Sequence, residues 1–400
     1  MFNQATAAAD AVELDPGDGY LGLGAGLARI WVSGPAEQAV AELLERLDEQ
    51  LAGRAARVVL YFASTAYEPE ELAGPISRHY PDACVLGCST AGEFTDETTG
   101  TGGLSAVVLP EGVVVRAAAA LGVLSDDPVG GTDGAVAAIE TRLGVPLRTL
   151  DCARHVGLVL VDGLHGVEEE VIDRISEAAP ALDVVGGSAG DDLLFERTWV
   201  AVGDTVSMCG VALVVCEVVV PFRVVKTCSF RPSGRSLRVG AVDAASYTVL
   251  DFDGRPAAAA YADAVGVEPQ ALTSSVWLEH PLGLMIDGHP WIRSPQAVTA
   301  QGHLRLSANV VEGMVVELMN PGDLVTDTAV AIGEARAELG GVTSGAVAFN
   351  CILRRLELDA RQCTDEFIEA FAGLPLAGFH TYGETWLGHV NQSLTAVVFG

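Results

Sequence analysis

The chain has little positive charge and no long hydrophobic run. Of its 400 residues, 53 are Asp or Glu, 23 are Lys or Arg, and Lys226 is the only lysine, so the formal net charge is −30. A surface of that sign repels phosphate backbones and anionic lipid, which disfavours nucleic acids and membranes as partners. No apolar stretch reaches the about 18 residues that suggest a membrane span, and residues 1–15 lack the features of a secretory signal. We therefore predict a cytoplasmic protein.

The cysteines form no Cys-x-x-Cys pair, and most lie in apolar segments such as "SMCGVALVVCEVVV". This pattern is typical of reduced, buried thiols and disfavours both a disulfide framework and a zinc site. His380 and His389 also lack the helical spacing of zinc ligands. The segment "GLGAGLARI" (22–30) only partly matches a dinucleotide-binding loop, because no strand precedes it. We predict no metal and no cofactor.

What the chain does contain is a large apolar fraction and a repeated unit. Half of the residues are hydrophobic, and a chain of this length predicts two or three structural units. A strand, a helix and a second strand recur three times, each copy ending in a polar turn. The strands are "RVVLYFAS" (57–64) and "ACVLGCST" (83–90), "VGLVLVDG" (156–163) and "LDVVGGSAG" (182–190), and "GAVAFNCI" (345–352) and "LAGFHTYGET" (376–385).

These repeats predict the fold class and the domains. A second strand parallel to the first returns by a right-handed crossover, and ligands of α/β proteins collect at the carboxyl ends of such strands. We predict an α/β (mixed α+β) fold with mixed sheets and two closely packed domains. An irregular segment is expected at 1–26, a domain with two repeats at 27–250, and a domain with the third repeat at 251–400. The three polar turns are expected to share one cleft.

Five segments in this order resemble the FIST domain family, with its N-terminal and C-terminal parts, over roughly residues 27–400: "GCSTAGEF", "VVGGSAGDD", "HPLGL", "FNCILRR" and "GFHTYGET". The resemblance implies an intracellular sensory module for small ligands such as amino acids or their derivatives. No kinase, cyclase, methyl-acceptor or F-box segment is recognisable, so a signalling partner is expected to carry the output. Leu353 stands where the family's cysteine–arginine motif commonly has glycine.

The polar turns supply the side chains that a small zwitterion needs. Hydroxyls and amides can bond a polar ligand, Glu93 can meet a cationic group, and the fork of Arg354 suits a carboxylate. The same residues could instead have purely structural roles. These would be hydroxyls that stabilise turns, packed thiols, a surface ion pair or a buried histidine. The candidate ligand-binding residues are Cys88, Ser89, Thr90, Gly92, Glu93, Ser188, Asp191, Asn350, Cys351, Arg354, His380, Thr381, Tyr382, Glu384 and Asn391.

Two other functions remain open. Ser188 in "GGSAG" matches the G-x-S-x-G motif, and Cys351 with His380 and Glu384 could form a thiol triad, so a hydrolase or acyl transferase is the alternative. The segment after Ser188 is too strand-like for the helix that the motif requires, and the sensor hypothesis has no catalytic residue. A third possibility is an interaction adaptor that exposes an apolar patch. Lys226 follows an apolar run, and the sequence offers no case for a Schiff base there.

Overall fold

The computed structural model describes residues 26–286 and 288–400. The prediction for residues 1–26 therefore falls almost entirely outside the described residues. The described chain consists of three copies of one unit: an edge strand, a helix, a strand, a helix, a third strand, a hairpin and a final strand. The mixed α/β class predicted from the sequence is confirmed.

The first two units follow this order without interruption. The first contains β1 (Ala28–Ser33), α1 (Ala36–Leu51), β2 (Ala56–Ala63), α2 (Pro69–His79), β3 (Cys84–Ser89), β4 (Glu93–Thr95), β5 (Thr99–Gly100) and β6 (Gly103–Pro110). The second contains β7 (Val114–Val123), α3 (Pro128–Leu143), β8 (His155–Val161), α4 (Glu168–Ala178), β9 (Asp183–Ser188), β10 (Val200–Val202), β11 (Thr205–Ser207) and β12 (Gly210–Val218).

The third unit begins with β13 (Phe222–Cys228) and is then interrupted by an insertion. The insertion comprises β14 (Phe230–Arg238), β15 (Val242–Asp243), β16 (Thr248–Val249), β17 (Asp251–Phe252), β18 (Arg255–Pro256), α5 (Ala257–Val265), α6 (Ser274–Glu279), β19 (Leu282–Ile286), β20 (His289–Arg293), β21 (Pro295–Val298), β22 (Leu304–Leu306) and β23 (Val315–Pro321). The unit resumes with α7 (Leu324–Glu338), β24 (Gly345–Cys351), α8 (Ile352–Arg361), α9 (Thr364–Glu369), β25 (Leu376–Thr381), β26 (Glu384–Trp386), β27 (His389–Val390) and β28 (Ser393–Phe399).

Four strands of each unit lie in one sheet, and the hairpin of that unit pairs with the sheet of another unit. The first sheet has the order β1-β6-β2-β3-β10-β11, the second β7-β12-β8-β9-β26-β27, and the third β13-β28-β24-β25-β4-β5. In each sheet the two central strands are parallel, as in β2 with β3, and the remaining pairs are antiparallel. The hairpin of the first unit therefore extends the third sheet, that of the second unit the first sheet, and that of the third unit the second sheet.

The inner faces of the three sheets pack on one another. Leu60 on β2, Leu160 on β8 and Val347 on β24 belong to one buried core. The rings of Phe62 and Phe379, from the first and third sheets, lie 4.9 Å apart between centroids. Helices α1 and α2, then α3 and α4, then α7 to α9 cover the outer faces of the three sheets. The carboxyl ends of the parallel strands lie close together, since the turns that follow them are bonded to one another.

The sequence explains why the covering helices form where they do. In α1 the apolar residues recur every three or four positions, which places them on one face. Val40, Leu43, Leu47 and Leu51 are buried against the first sheet. Ala52 ends the helix in a left-handed conformation at φ 52°. In the described part of the chain, helices long and apolar enough to cross a membrane are absent.

Candidate functional site

The polar turns that follow β3, β9 and β25 meet between the three sheets. The amide of Ala91 donates to the carbonyl of His380 at 3.0 Å, and the His380 amide donates to the carbonyl of Gly92 at 2.8 Å. The amide of Gly190 donates to the carbonyl of Ser89 at 3.1 Å. The first turn is thus bonded to both of the others.

The second and third turns are joined in the same way. The Ser188 amide donates to the carbonyl of Gly383 at 2.8 Å, and the Tyr382 amide donates to the carbonyl of Ser188 at 3.1 Å. The three turns therefore meet through backbone bonds, while a cleft shared by them stays a prediction. We call these three segments the turn junction; it comprises residues 89–93, 188–192 and 380–384.

A glycine two residues before each turn permits this close packing. A Cβ atom on Gly186 would lie 1.8 Å from the carbonyl oxygen of Val159, and one on Gly378 would lie 2.2 Å from that of Ala348. A Cβ atom on Gly87 would meet an aromatic ring at 2.1 Å. No side chain fits at such distances, so the repeated glycine is required by the approach of the neighbouring parallel strand.

The side chains predicted to bind a ligand are nearly all buried in or beside the turn junction. Tyr382 is the exception, with an intermediate exposure. Most of the others bond to one another or to backbone groups, so their role in ligand binding stays a prediction. Those exposed by 2% or less are Cys88, Ser89, Thr90, Glu93, Ser188, Asp191, Asn350, Cys351, Arg354, His380, Thr381, Glu384 and Asn391, and Gly92 is buried as well.

Glu93 and Glu384 occupy equivalent positions in the first and third turns. The hydroxyl of Thr90 donates to Glu93, and the hydroxyl of Thr381 donates to Glu384 at 2.6 Å. Burial raises the pKa of Glu93 to about 8, with the nearby charge of Asp192 adding to the effect, and burial raises the pKa of Glu384 to about 7. At neutral pH Glu93 is therefore largely protonated and Glu384 is about half protonated, so Glu93 presents a hydrogen-bonding group and not a full charge.

Asp191 anchors the loop that covers the second turn. Its carboxylate accepts bonds from the amides of Phe195 (2.9 Å), Glu196 (2.6 Å) and Arg197 (2.9 Å), and from the hydroxyl of Tyr382. Burial alone would raise the pKa of Asp191, but these four donors lower it below its usual value. Asp191 is therefore an ionised structural anchor. The ring of Phe195 stacks on that of Tyr382 at 5.2 Å.

Of the two consecutive arginines in "FNCILRR", only the second reaches the turn junction. Arg354 points into the core, where its Nε donates to Asn350 (2.8 Å) and its Nη2 to Thr328 (2.7 Å). Arg355 points the other way, and its Nη1 donates to the carbonyl of Ala91 at 2.6 Å. Consecutive residues of a helix point about 100° apart, so this difference follows from the start of α8. The sequence prediction named Arg354 and missed Arg355.

Arg355 and Asp192 form a loose, partly exposed charge pair at the edge of the turn junction. Their nearest atoms, Nη1 and Oδ1, are 3.4 Å apart, and the side chains are 23% and 28% exposed. The Nε atom of Arg355 lies 3.5 Å from Asp359, and its Nη2 atom makes no hydrogen bond within the described residues. Burial raises the pKa of Asp192, although the charge of Arg355 opposes this. The fork of Arg355 therefore keeps donors available to a further anion.

The thiol and the histidine of the alternative triad are held in unreactive states. The Nδ1 atom of His380 accepts from the amide of Asn350 at 3.0 Å. Burial and the charges of Arg355 and Arg354 lower the pKa of His380 to about 3. Burial raises the pKa of the Cys351 thiol well above its usual value. A thiol that stays protonated is a poor nucleophile.

Asn391 lies on the turn between β27 and β28, beside the third turn of the junction. Its amide lies 3.2 Å from the Nε2 atom of His389, whose pKa is lowered to about 4 by burial and by the charge of Arg293. Neither Oδ1 of Asn391 nor Nδ1 of His389 has a hydrogen-bond partner among the described residues. Groups of three or more potential metal ligands were not found in residues 26–286 and 288–400.

Two cavities lie away from the turn junction, and the sequence prediction identified neither. One, of about 460 Å³, is an acidic cleft between α4 and the insertion, and its lining includes Glu169, Glu170, Asp173, Tyr247 and Asn309. The other, of about 200 Å³, is an apolar cleft beside α4, lined by Ile172, Ile175, Leu182, Val184 and Leu387 among others. The acidic cleft combines residues that are distant in the chain, whereas the apolar cleft is lined by residues 172–184 together with Leu387.

Two models of known protein families match the chain. Residues 57–255 match the FIST N domain and residues 257–386 match the FIST C domain. These domains are described as sensory domains of signal transduction that bind small ligands. No curated protein matches the chain significantly. The two matches cover most of the chain and include all three turns of the junction; the chain belongs to the FIST family.

Proposed function

We propose that this FIST protein senses an amino acid or a related zwitterionic metabolite at the exposed edge of the turn junction. Arg355 binds the ligand's carboxylate and Asp192 its ammonium group. Tyr382, beside the loop anchored by Asp191, provides an aromatic wall. The protein then acts through a signalling partner.

The observation that carries this proposal is the incomplete hydrogen bonding of Arg355. A guanidinium has five N–H donors, and a carboxylate can accept two of them in parallel. Arg355 makes one short bond, to the carbonyl of Ala91, and its contacts with Asp192 and Asp359 are 3.4 and 3.5 Å long. A ligand carboxylate can therefore pair with Arg355 without breaking a strong bond.

The buried candidates form the layer behind this pair in the proposed site. Ser89, Thr90, Glu93, Ser188 and His380 hold the three turns in place. Cys88, Gly92, Asn350, Cys351, Arg354, Thr381, Glu384 and Asn391 complete the layer. Because all three turns are bonded together, a ligand that prefers one arrangement of the junction shifts the population of the whole molecule toward that arrangement. A partner that recognises one arrangement would then receive the signal.

Calorimetric titration of the full chain with each standard amino acid, and with its amine-free and carboxylate-free analogues, tests the proposal. We expect saturable binding that requires both charged groups of the ligand. Arg355→Gln should weaken it by about 10- to 100-fold, since a charged hydrogen bond contributes roughly 1.5–3 kcal/mol. Asp192→Asn should also weaken binding, because the variant lacks the carboxylate that pairs with the ligand's ammonium group.

Arg361→Gln is the matched control, because Arg361 lies on the same helix but is 42% exposed and pairs with Glu357 at 2.9 Å. This variant should bind as the wild type does. Absence of saturable binding for every compound, or binding that survives both Arg355→Gln and Asp192→Asn, would reject the proposed site. In the second case the acidic cleft becomes the place to examine.

The alternative of a hydrolase or acyl transferase has less support. No helix follows Ser188, since residues 189–199 form a loop that leads into β10, and the nucleophile elbow places its serine before a helix. Cys351 is a buried thiol with a raised pKa. Selective labelling of Ser188 by a fluorophosphonate, or of Cys351 by iodoacetamide, at neutral pH would favour the enzyme over the sensor.

A further inference from the structure

Lys226 stands out because the chain uses arginine everywhere else. The sequence contains 22 arginines and one lysine. Arginine keeps its charge in proteins, whereas a lysine can lose its proton and become a nucleophile. A position that carries the single lysine is therefore a candidate for chemistry that arginine cannot perform.

The amine of Lys226 lies against two tryptophan rings. Its Nζ atom is 4.7 Å from the ring centroid of Trp291 and 5.6 Å from that of Trp386. The two rings are 6.3 Å apart and inclined by 26°. The Nζ atom donates one bond, of 3.3 Å, to the carbonyl of Pro290. We call Lys226, Pro290, Trp291 and Trp386 the lysine slot; each of these residues has an intermediate exposure, so solvent reaches it.

The charges around the slot do little to retain the proton of the amine. No carboxylate of the described residues lies within ion-pairing distance of Lys226. Burial lowers the pKa of Lys226, and the charge of Arg293 acts in the same direction. Cys228 and Glu384 act in the opposite direction, but burial holds the Cys228 thiol protonated by raising its pKa, and Glu384, whose pKa burial raises to about 7, carries only part of a full negative charge at neutral pH. The cation–π contacts with Trp291 and Trp386 favour the ammonium form, and burial and Arg293 oppose them.

We propose that the lysine slot is a covalent binding site for a small carbonyl metabolite, an aldehyde or a 2-oxo acid. The lone pair of Nζ attacks the carbonyl carbon and forms a C–N bond. One Nζ proton passes to the carbonyl oxygen to give the carbinolamine, whose C–O bond then breaks; hydroxyl and the second Nζ proton leave as water, and a C=N bond remains. A lysine desolvated in an apolar pocket and close to another cation is a recognised nucleophile for this step.

The slot favours a flat and short reactant. The imine formed on Nζ would lie against the faces of Trp291 and Trp386, which can stack on a planar group. The charge of Arg293 favours a reactant that carries a carboxylate. This site lies on β13, β20 and β26, and it is independent of the ligand proposed for the turn junction.

Reductive trapping tests the proposal, and a chain with a single lysine makes the result unambiguous. The full chain is incubated at pH 7 with glyoxylate or with propanal, reduced with borohydride, digested and measured by mass spectrometry. We expect the reduced adduct on Lys226 at a rate roughly tenfold or more above that of the same lysine in the urea-unfolded chain. Glyoxylate should react faster than propanal. Arg293→Met should remove the difference between the two.

Lys226→Arg should abolish the ε-amine adduct and leave only labelling of the α-amino group. Trp386→Leu, which opens the slot to water, should slow the labelling of Lys226 toward the rate in the unfolded chain. If Lys226 in the folded chain reacts no faster than in the unfolded chain with either compound, the covalent site is ruled out. Faster labelling by propanal than by glyoxylate would still support Lys226 as a nucleophile, but it would reject a 2-oxo acid as the reactant.

Discussion

The protonation and bonding of single residues at the turn junction depend on burial more than on neighbouring charges. Glu93 and Glu384 have no cationic partner in ion-pairing range among the described residues, and both have raised pKa values because water is excluded from them. Arg354 is buried without a carboxylate and is held by an amide and hydroxyls. Such groups fix the geometry of the three turns, since an unsatisfied buried polar group is costly.

The protonation of Glu93 gives the protein a pH-dependent stability. The pKa of Glu93 is about 8 in the folded state and near 4.5 in the unfolded state. The folded state therefore binds more protons between these values, and its free energy of unfolding falls as the pH rises through this window. Glu93→Gln removes that fall. The stability of the variant relative to the wild type should rise by on the order of 3 kcal/mol between pH 5 and pH 8.

Urea unfolding at several pH values measures this difference. At pH 5 the variant should be less stable, because glutamine has one acceptor oxygen, whereas Glu93 accepts from Thr90 on one oxygen and from the amide of Gly103 on the other. Glu97→Gln serves as the control, since Glu97 is 74% exposed, and its stability should follow the wild-type pH curve. A Glu93→Gln curve parallel to the wild-type curve would show that Glu93 is ionised in the folded state.

At the scale of elements, the repeated strand–turn unit depends on a glycine. A methyl group at Gly186 would press on the backbone of the neighbouring strand at Val159. Backbone cannot move aside as a flexible side chain can, so Gly186→Ala should destabilise the fold by more than about 3 kcal/mol. Gly134→Ala in α3 is the matched change: nothing lies within 4 Å of a Cβ atom there, and alanine in a helix should stabilise it by about 0.5–1 kcal/mol.

Thermal and urea unfolding of the two alanine variants check this prediction. If Gly186→Ala unfolds at the wild-type midpoint, the close approach of β8 and β9 is not a requirement of the fold.

The elements also show what could be predicted from the sequence. Apolar strands, amphipathic helices and turn residues are local signals, so the three repeats and their polar turns were found correctly. The exchange of hairpins between sheets was not, because β4 carries no mark of its pairing with β25, 283 residues or so away in the third unit. The direction of Arg354 and Arg355 likewise depends on where α8 begins, since a shift of one residue would turn each side chain by about 100° around the helix. Pairing and orientation are tertiary properties.

At the scale of the molecule, the two family matches do not correspond to two independent bodies. Strand β13 lies within the FIST N match but pairs with β28, and β4 pairs with β25 from the FIST C match. We therefore expect residues 1–256 expressed alone to lack cooperative unfolding and a dispersed NMR spectrum, because the fragment exposes strand edges that the rest of the chain covers.

Co-expression with residues 257–400 should restore a folded complex. This result would show that the fragment fails to fold because it lacks its pairing strands. A cooperative unfolding transition in the isolated fragment 1–256 would contradict the expectation.

The exchange of hairpins has a mechanical consequence. Each turn of the junction leads into a hairpin that belongs to a different sheet, so a molecule pressing on one turn strains two layers together. The three sheets thus form a closed cycle, in which each sheet contains the hairpin of another unit. If a ligand binds at the turn junction as proposed, a displacement of one turn would act on two sheets and on the helices that cover them.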